Sequence, residues 1–143
     1  MPKIECIIGK IVGGFVRTEY LLSQIASDLD LSKSKTHFFA NYQTAKKINA
    51  LIKKISNSEI NNKELYTTLL EGFNKVREER NTVVHGLFLV NVSNENEYKV
   101  HSYLENKNSI IDKSRIYTFN DLLEIESKII QIHNDLFTLH FNK

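Results

Sequence analysis

Arg80 and His85 are the residues of this chain whose types and spacing best suit proton transfer on a charged substrate. Arginine carries a fixed positive charge and a planar fork of donors that fits a phosphate group. Histidine has an ordinary pKa of about 6.5, so it exchanges protons near neutral pH. Asn81 lies four residues before His85, so on a helix the amide shares a face with the imidazole and can orient it or contact a phosphate.

These residue types match the requirements of RNA cleavage without a metal ion. A base must take the proton from the ribose 2′-hydroxyl, a cation must stabilise the charged phosphorane, and an acid must protonate the leaving 5′-oxygen. His85 suits proton transfer, and Arg80 suits charge stabilisation. Such a reaction leaves a 2′,3′-cyclic phosphate, and DNA is inert because it lacks the attacking hydroxyl.

The position of Arg80 within its predicted helix is unusual. Apolar residues recur at intervals of three and four, which is the pattern of one buried helix face. A charge on that face costs on the order of several kcal/mol unless it is paired. We therefore predict an ion pair between Arg80 and Glu19, which either only joins two helices or also orients Arg80 in a site. Arg80 fills the gap in the series Leu65, Leu69, Phe73, Val76, Val83 and Leu87.

The apolar periodicity predicts four helices, over residues 4–29, 38–55, 62–84 and 119–140. Thr118 and Asp121 form a capping-box pattern at the start of the fourth helix. Between the third and fourth helices, short β-branched and alternating segments predict a hairpin at about residues 87–104. The predicted fold class is all-α: an antiparallel, up-down four-helix bundle with a small β-hairpin insertion between helices 3 and 4, in a single domain of residues 1–143.

Composition places limits on the partners of the chain. A net charge of +2 over 143 residues is too small to indicate nucleic-acid binding by itself, so any basic footprint must be local. One candidate is a lysine stripe with seven-residue spacing, although a solvated lysine face is the more frequent use of this pattern. Arg77, one turn before Asn81, either extends the phosphate site or is a surface charge. The stripe consists of Lys46, Lys47, Lys53 and Lys54.

Other classes of site and location receive less support. The single cysteine, Cys6, lies on a predicted apolar helix face and indicates a buried thiol in a reducing compartment. No run is apolar enough for a signal peptide or membrane span, so we expect a cytoplasmic protein with no membrane association. His133 and His140 lack a matching set of ligands, so we predict no metal. No cofactor motif is recognisable, so no cofactor is expected.

The motif at residues 80–86, RNTVVHG, resembles the signature of the HEPN superfamily of helical domains. In that signature an arginine is followed after four to six residues by a histidine, often with asparagine directly after the arginine. Glu19 is similar to an acidic position in the first helix of several solitary prokaryotic members. The resemblance covers most of the chain in architecture, and only these few residues in detail.

The resemblance implies a homodimer that brings two Arg/His pairs into one cleft, and it implies RNA as the substrate. Many members are metal-independent endoribonucleases of toxin, stress or phage-defence systems. The alternative is a non-catalytic dimer that binds RNA, a nucleotide or a protein partner, such as an antitoxin or defence protein. A third hypothesis is a structural dimerisation domain. Members paired with a nucleotidyltransferase antitoxin usually carry tyrosine where this chain has Leu87.

Overall fold

The computed structural model describes the backbone of most of the chain, and the side chains of somewhat fewer residues. The described backbone covers residues 2–29, 44–85, 87–91, 94–106 and 109–142. The described side chains are those of residues 4–29, 44–84, 97–98, 100 and 115–142.

These residues form four α-helices, with three β-strands between the third helix and the fourth. The helices are α1 (Pro2–Asp28), α2 (Thr44–Ser56), α3 (Lys63–His85) and α4 (Phe119–Phe141). The strands are β1 (Leu87–Asn91), β2 (Asn94–Asn106) and β3 (Ser109–Thr118). The predicted fold class, a four-helix all-α protein with a small β insertion between the third and fourth helices, is confirmed. The first six residues of the predicted second helix, 38–43, lie outside the described residues.

The strands form one antiparallel sheet in the order β1-β2-β3. Phe88 pairs with Val100, and Tyr98 pairs with Tyr117 across the second ladder. The predicted hairpin corresponds to β1 and β2, whereas β3 extends the insertion to Thr118. The sequence pattern does not predict β3 because the strand has no clean alternation of its own. It gains its hydrogen bonds by pairing with β2.

α1 and α4 lie side by side and run in the same direction. A methyl group on Gly14 of α1 would lie 3.2 Å from Ile129 Cγ2 of α4. At the ends of the same two helices, Asp28 Oδ2 lies 2.9 Å from His140 Nε2. Both helices therefore begin at one end of the bundle and finish at the other. The close approach also explains Gly14, because a larger side chain would push the two helices apart.

α3 runs in the opposite direction to α4. The Tyr66 hydroxyl, near the start of α3, is 3.1 Å from His140 Nδ1 at the end of α4. α2 packs on α3 after a short connection and is antiparallel to it. The predicted up-down alternation thus describes the pairs that include α3, whereas α1, α2 and α4 share one direction.

The core lies between the helices and is continuous with the inner side of the sheet at Val100 and Tyr117. Phe15 and Phe73 stack at its centre, with ring centroids 4.4 Å apart. In the first turns of α3 the buried face is shifted by one residue from the prediction. Tyr66 is buried, whereas Leu65 is 55% exposed. The shift places the Tyr66 hydroxyl against His140, a contact that apolar periodicity does not reveal.

The structure also bears on the predictions for Cys6 and for membrane-spanning helices. Cys6 is exposed, which corrects its prediction as a buried thiol, because the core-facing side of α1 passes through Ile4, Ile7 and Ile11 instead. No helix among the described residues is long and apolar enough to cross a membrane.

The capping box at the start of α4 is present as predicted. The Asp121 backbone N–H donates to Thr118 Oγ1 at 3.1 Å, and the Thr118 N–H donates to Asp121 Oδ2 at 2.8 Å. We expect Thr118→Ala to lower the free energy of unfolding by about 1 kcal/mol, because donors at the helix start lose their acceptor. Urea unfolding measures the change. Thr118→Ser keeps the oxygen and is the control; an equal loss in both variants would contradict the capping role.

Candidate functional site

Arg80 lies on the buried stripe of α3, as predicted, with Val76 and Val83 buried on either side. Its guanidinium carbon is 4.3 Å from the centre of the Phe15 ring, which is a cation–π contact between α3 and α1. The Arg80 Nε is buried and has no hydrogen-bond partner among the described residues. A buried donor without an acceptor costs about 1–3 kcal/mol. The fold therefore holds this cation at a cost in stability.

The charges around Arg80 act in opposite directions. Burial lowers the pKa of Arg80 from its ordinary value, the Glu19 carboxylate raises it, and the Arg77 guanidinium lowers it. An arginine pKa begins so high that the side chain stays protonated at neutral pH. The site therefore contains a permanent cation that is partly removed from water and has an open hydrogen-bond donor.

Glu19 forms its ion pair with Lys47 and not with Arg80. Glu19 Oε2 lies 3.8 Å from Lys47 Nζ, and both side chains are largely buried. Glu19 therefore acts on Arg80 as a nearby charge, which corrects the prediction of a direct pair. α2 packs against α1 and places the Lys47 ammonium group beside this carboxylate. Glu19 therefore forms an ion pair with Lys47 of α2 and acts electrostatically on Arg80 of α3.

The lysine stripe on α2 divides into exposed and buried members. Lys46, Lys53 and Lys54 are exposed, as a solvated face requires. Lys47 is only 6% exposed and belongs to the interior, which removes it from the predicted stripe. Adjacent residues on a helix are about 100° apart, so only one of Lys46 and Lys47 can face α1.

The contrast between these two lysines gives a stability prediction. We expect Lys47→Met to lower the free energy of unfolding by about 1–2 kcal/mol, because the part-buried Glu19 carboxylate loses its ion-pair partner. Lys46→Met is the matched control and should change it by less than about 0.5 kcal/mol, as exposed positions usually do. Urea unfolding of both variants measures the difference. Equal effects would show that the Glu19–Lys47 pair contributes nothing.

Arg77 and Asn81 lie on a less buried side of α3. Arg77 Nε donates to Asn74 Oδ1 at 3.0 Å, and Arg77 Nη2 lies 3.9 Å from Glu78 Oε1. These contacts hold Arg77 against its own helix one turn before Asn81. Both residues are partly exposed, so each is accessible to a ligand that approaches Arg80.

His85 is the last residue of α3, and its side chain lies outside the described residues. The helix is unbroken from Lys63 to His85, so the backbone positions of Arg80 and His85 are separated by about 140° around the helix axis. Asn81 shares the His85 side of the helix. One chain therefore does not direct positions 80 and 85 to the same side of α3. A site that uses both residues requires another chain or a long reach by Arg80.

Phe15 was not predicted as a contributor to this site, and Lys47 was predicted as a member of the lysine stripe and not as the ion-pair partner of Glu19. Phe15, whose ring contacts the Arg80 guanidinium, belongs to the apolar series of α1. It lies four residues before Glu19, so the two share one face of the helix, and this spacing could have indicated that Phe15 lies near Arg80. Nothing in the sequence indicates that Lys47, and not its neighbour Lys46, faces Glu19. Within the part of the chain whose side chains are described, no group of three or more His, Cys, Asp or Glu side chains is arranged to hold a metal ion.

Comparison of the chain with protein-family models, curated proteins and solved structures finds no match.

Proposed function

We propose that this chain is an RNA-directed protein of the HEPN type that forms a homodimer and cleaves RNA without a metal ion. The observation that supports this best is the state of Arg80. Its guanidinium lies on a core stripe, and its buried Nε has no hydrogen-bond partner in the part of the chain that the structure describes. A phosphate oxygen is the acceptor that suits such a cation best. Residues that lower the stability of the folded protein are often found at functional sites.

In the proposed reaction His85 takes the proton from a ribose 2′-hydroxyl, and that oxygen attacks the adjacent phosphorus. Arg80 stabilises the negative charge of the phosphorane, and Asn81 positions the phosphate or the imidazole. The bond to the 5′-oxygen breaks, and the histidine of the second copy of the chain supplies its proton. The products are a 2′,3′-cyclic phosphate and a 5′-hydroxyl end, so no atom is needed beyond those of the RNA.

The homodimer follows from the helix geometry within this proposal. Because positions 80 and 85 lie about 140° apart around α3, one copy does not direct both residues to one phosphate. Two copies joined near the end of α3 place the arginine of one beside the histidine of the other. The exposed Lys46, Lys53 and Lys54 would add sequence-independent contacts to the RNA backbone. A toxin or phage-defence system of the cytoplasm is the setting that the resemblance implies.

The alternative is a non-catalytic dimer of the same type that binds RNA, a nucleotide or a protein partner. The cation–π contact between Arg80 and Phe15 favours it, because this contact joins α1 to α3 without any substrate. In this alternative His85 carries no catalytic role. Its charge at the C-terminal end of α3 would complement the helix dipole instead.

Incubation with RNA and DNA pools of matched sequence in the presence of EDTA tests the proposal. We expect the protein to cut the RNA and leave the DNA intact, because only RNA has the attacking hydroxyl. Binding of labelled RNA is measured in parallel by fluorescence anisotropy. Binding without cleavage would support the non-catalytic alternative, and cleavage of both pools would exclude the 2′-hydroxyl mechanism.

A further inference from the structure

A chain of two hydrogen bonds joins three helices at the end of the bundle where α1 and α4 finish. The Tyr66 hydroxyl lies 3.1 Å from His140 Nδ1, and His140 Nε2 lies 2.9 Å from Asp28 Oδ2. Tyr66 is 3% exposed and His140 is 5% exposed. Burial raises the pKa of Tyr66 above its ordinary value, so the phenol keeps its proton. In the neutral tautomer that carries its proton on Nε2, the hydroxyl donates to Nδ1 and Nε2–H donates to the carboxylate.

Tyr66 also lines a cavity of about 560 Å³ at this end of the bundle. That volume lies in the range of small-molecule sites, which is roughly 300–1,000 Å³. Among the described lining residues, three aliphatic side chains form an apolar part of the wall. The other described lining residues are polar and bring one carboxylate, three amides, one aliphatic hydroxyl and the phenol. They are Glu59, Asn61, Asn62, Tyr66, Thr138 and Asn142.

The electrostatics of the cavity favour a positive ligand. Glu59 is the only ionisable carboxylate or amine in the described lining, and no Lys, Arg or His belongs to it. The last turns of α1 and α4 border the cavity, and α2 ends at Ser56, three residues before Glu59. A helix C-terminus presents carbonyl oxygens without helical partners and carries roughly half a negative charge. The C-terminal ends of α1 and α4 therefore add to the negative charge of Glu59 at the cavity.

We propose that this cavity is a binding site for an aliphatic diamine or polyamine. The Glu59 carboxylate and the amide oxygens accept hydrogen bonds from the primary ammonium groups, and the aliphatic wall covers the methylene spacer. The ligand contacts Tyr66, whose hydroxyl is bonded to His140. Occupancy therefore changes the surroundings of the His140 ring, which does not itself line the cavity. This site lies at the opposite end of α3 from His85 and does not depend on RNA binding.

Calorimetric titration of the RNA-free protein with putrescine and spermidine tests the site. We expect saturable binding that Glu59→Gln weakens at least tenfold, because the neutral amide keeps the shape and loses the charge. Glu64→Gln is the matched control: Glu64 is exposed in the first turn of α3 and does not line the cavity. The affinity of Glu64→Gln for both amines should equal that of the wild-type protein. The neutral analogue 1,4-butanediol should not bind.

The nitrogen resonances of the His140 ring give a second readout. Putrescine should shift them in the wild-type protein and in Glu64→Gln at the concentrations that produce heat. Absence of saturable heat with both amines would overturn the proposal. Equal weakening by the two glutamate variants would overturn it as well, since it would show attraction to surface charge in general. Binding of butanediol as tight as that of putrescine would show that the cavity does not select a cation.

Discussion

Replacing Arg80 with methionine is expected to lower RNA cleavage at least about 100-fold and to leave the protein as stable as the wild type, or more stable. The loss of activity follows from the loss of the charge that stabilises the phosphorane. The stability follows from the surroundings of the side chain. Methionine fills a similar volume beside Phe15, and it removes a buried Nε that has no acceptor among the described residues.

Two measurements on the same variant separate function from architecture. Urea unfolding should give a free energy equal to that of the wild type or about 1 kcal/mol higher, because exchanging a poorly paired buried charge for an apolar group is often neutral or stabilising. Cleavage of labelled RNA should fall to background. A sharp fall in stability with unchanged cleavage would mean that Arg80 serves only the α1–α3 interface. Val76→Met, also on the buried stripe, controls for the introduced side chain.

Replacing His140 with alanine is expected to produce the largest loss of stability of any single change considered, about 3 kcal/mol in the free energy of unfolding. The substitution leaves the buried Tyr66 hydroxyl without an acceptor, which costs about 1–3 kcal/mol. It also removes the contact with Asp28 and leaves a cavity between three helices. The three helices are held at this end by two hydrogen bonds that meet on one ring.

His133 supplies the matched control on the same helix. It is partly buried, and its ring contact is with Phe137, a residue of its own helix. His133→Ala should therefore lower the free energy of unfolding by less than about 1 kcal/mol in the same urea titration. Tyr66→Phe should fall between the two, because it removes one hydrogen bond and leaves the packing intact. Equal losses for both histidine variants would show that the hydrogen-bonded chain has no special role.

Much of the helical architecture was predictable because helices of a bundle repeat their apolar positions. The predicted third helix differs from α3 by one residue at each end, and the capping pattern placed the start of α4 correctly. The same periodicity placed Arg80 on the buried stripe, since a charge that interrupts an apolar series is visible without a structure. The direction of α2 was not predictable, because helical periodicity carries no information about connectivity.

The partners of buried polar groups were the main features that the sequence did not reveal. The sequence predicted Arg80 as the ion-pair partner of Glu19. In the fold, the packing of α2 makes Lys47 the partner instead. His140 occurs in an apolar pattern and gives no sign that it meets Tyr66 and Asp28, which lie far from it in the sequence. Hydrogen bonds between distant segments depend on tertiary packing, and spacing along the chain does not encode them.

Cleavage by wild-type protein and His85→Ala in EDTA, with analysis of the product ends, tests the central claim most directly. The substrate is a mixed RNA pool, and circular dichroism establishes that the variant is folded. The account predicts that wild-type protein alone cuts the RNA and that the fragments end in 2′,3′-cyclic phosphates. Equal cleavage by the folded His85→Ala protein, or wild-type products with 3′-hydroxyl ends, would contradict it.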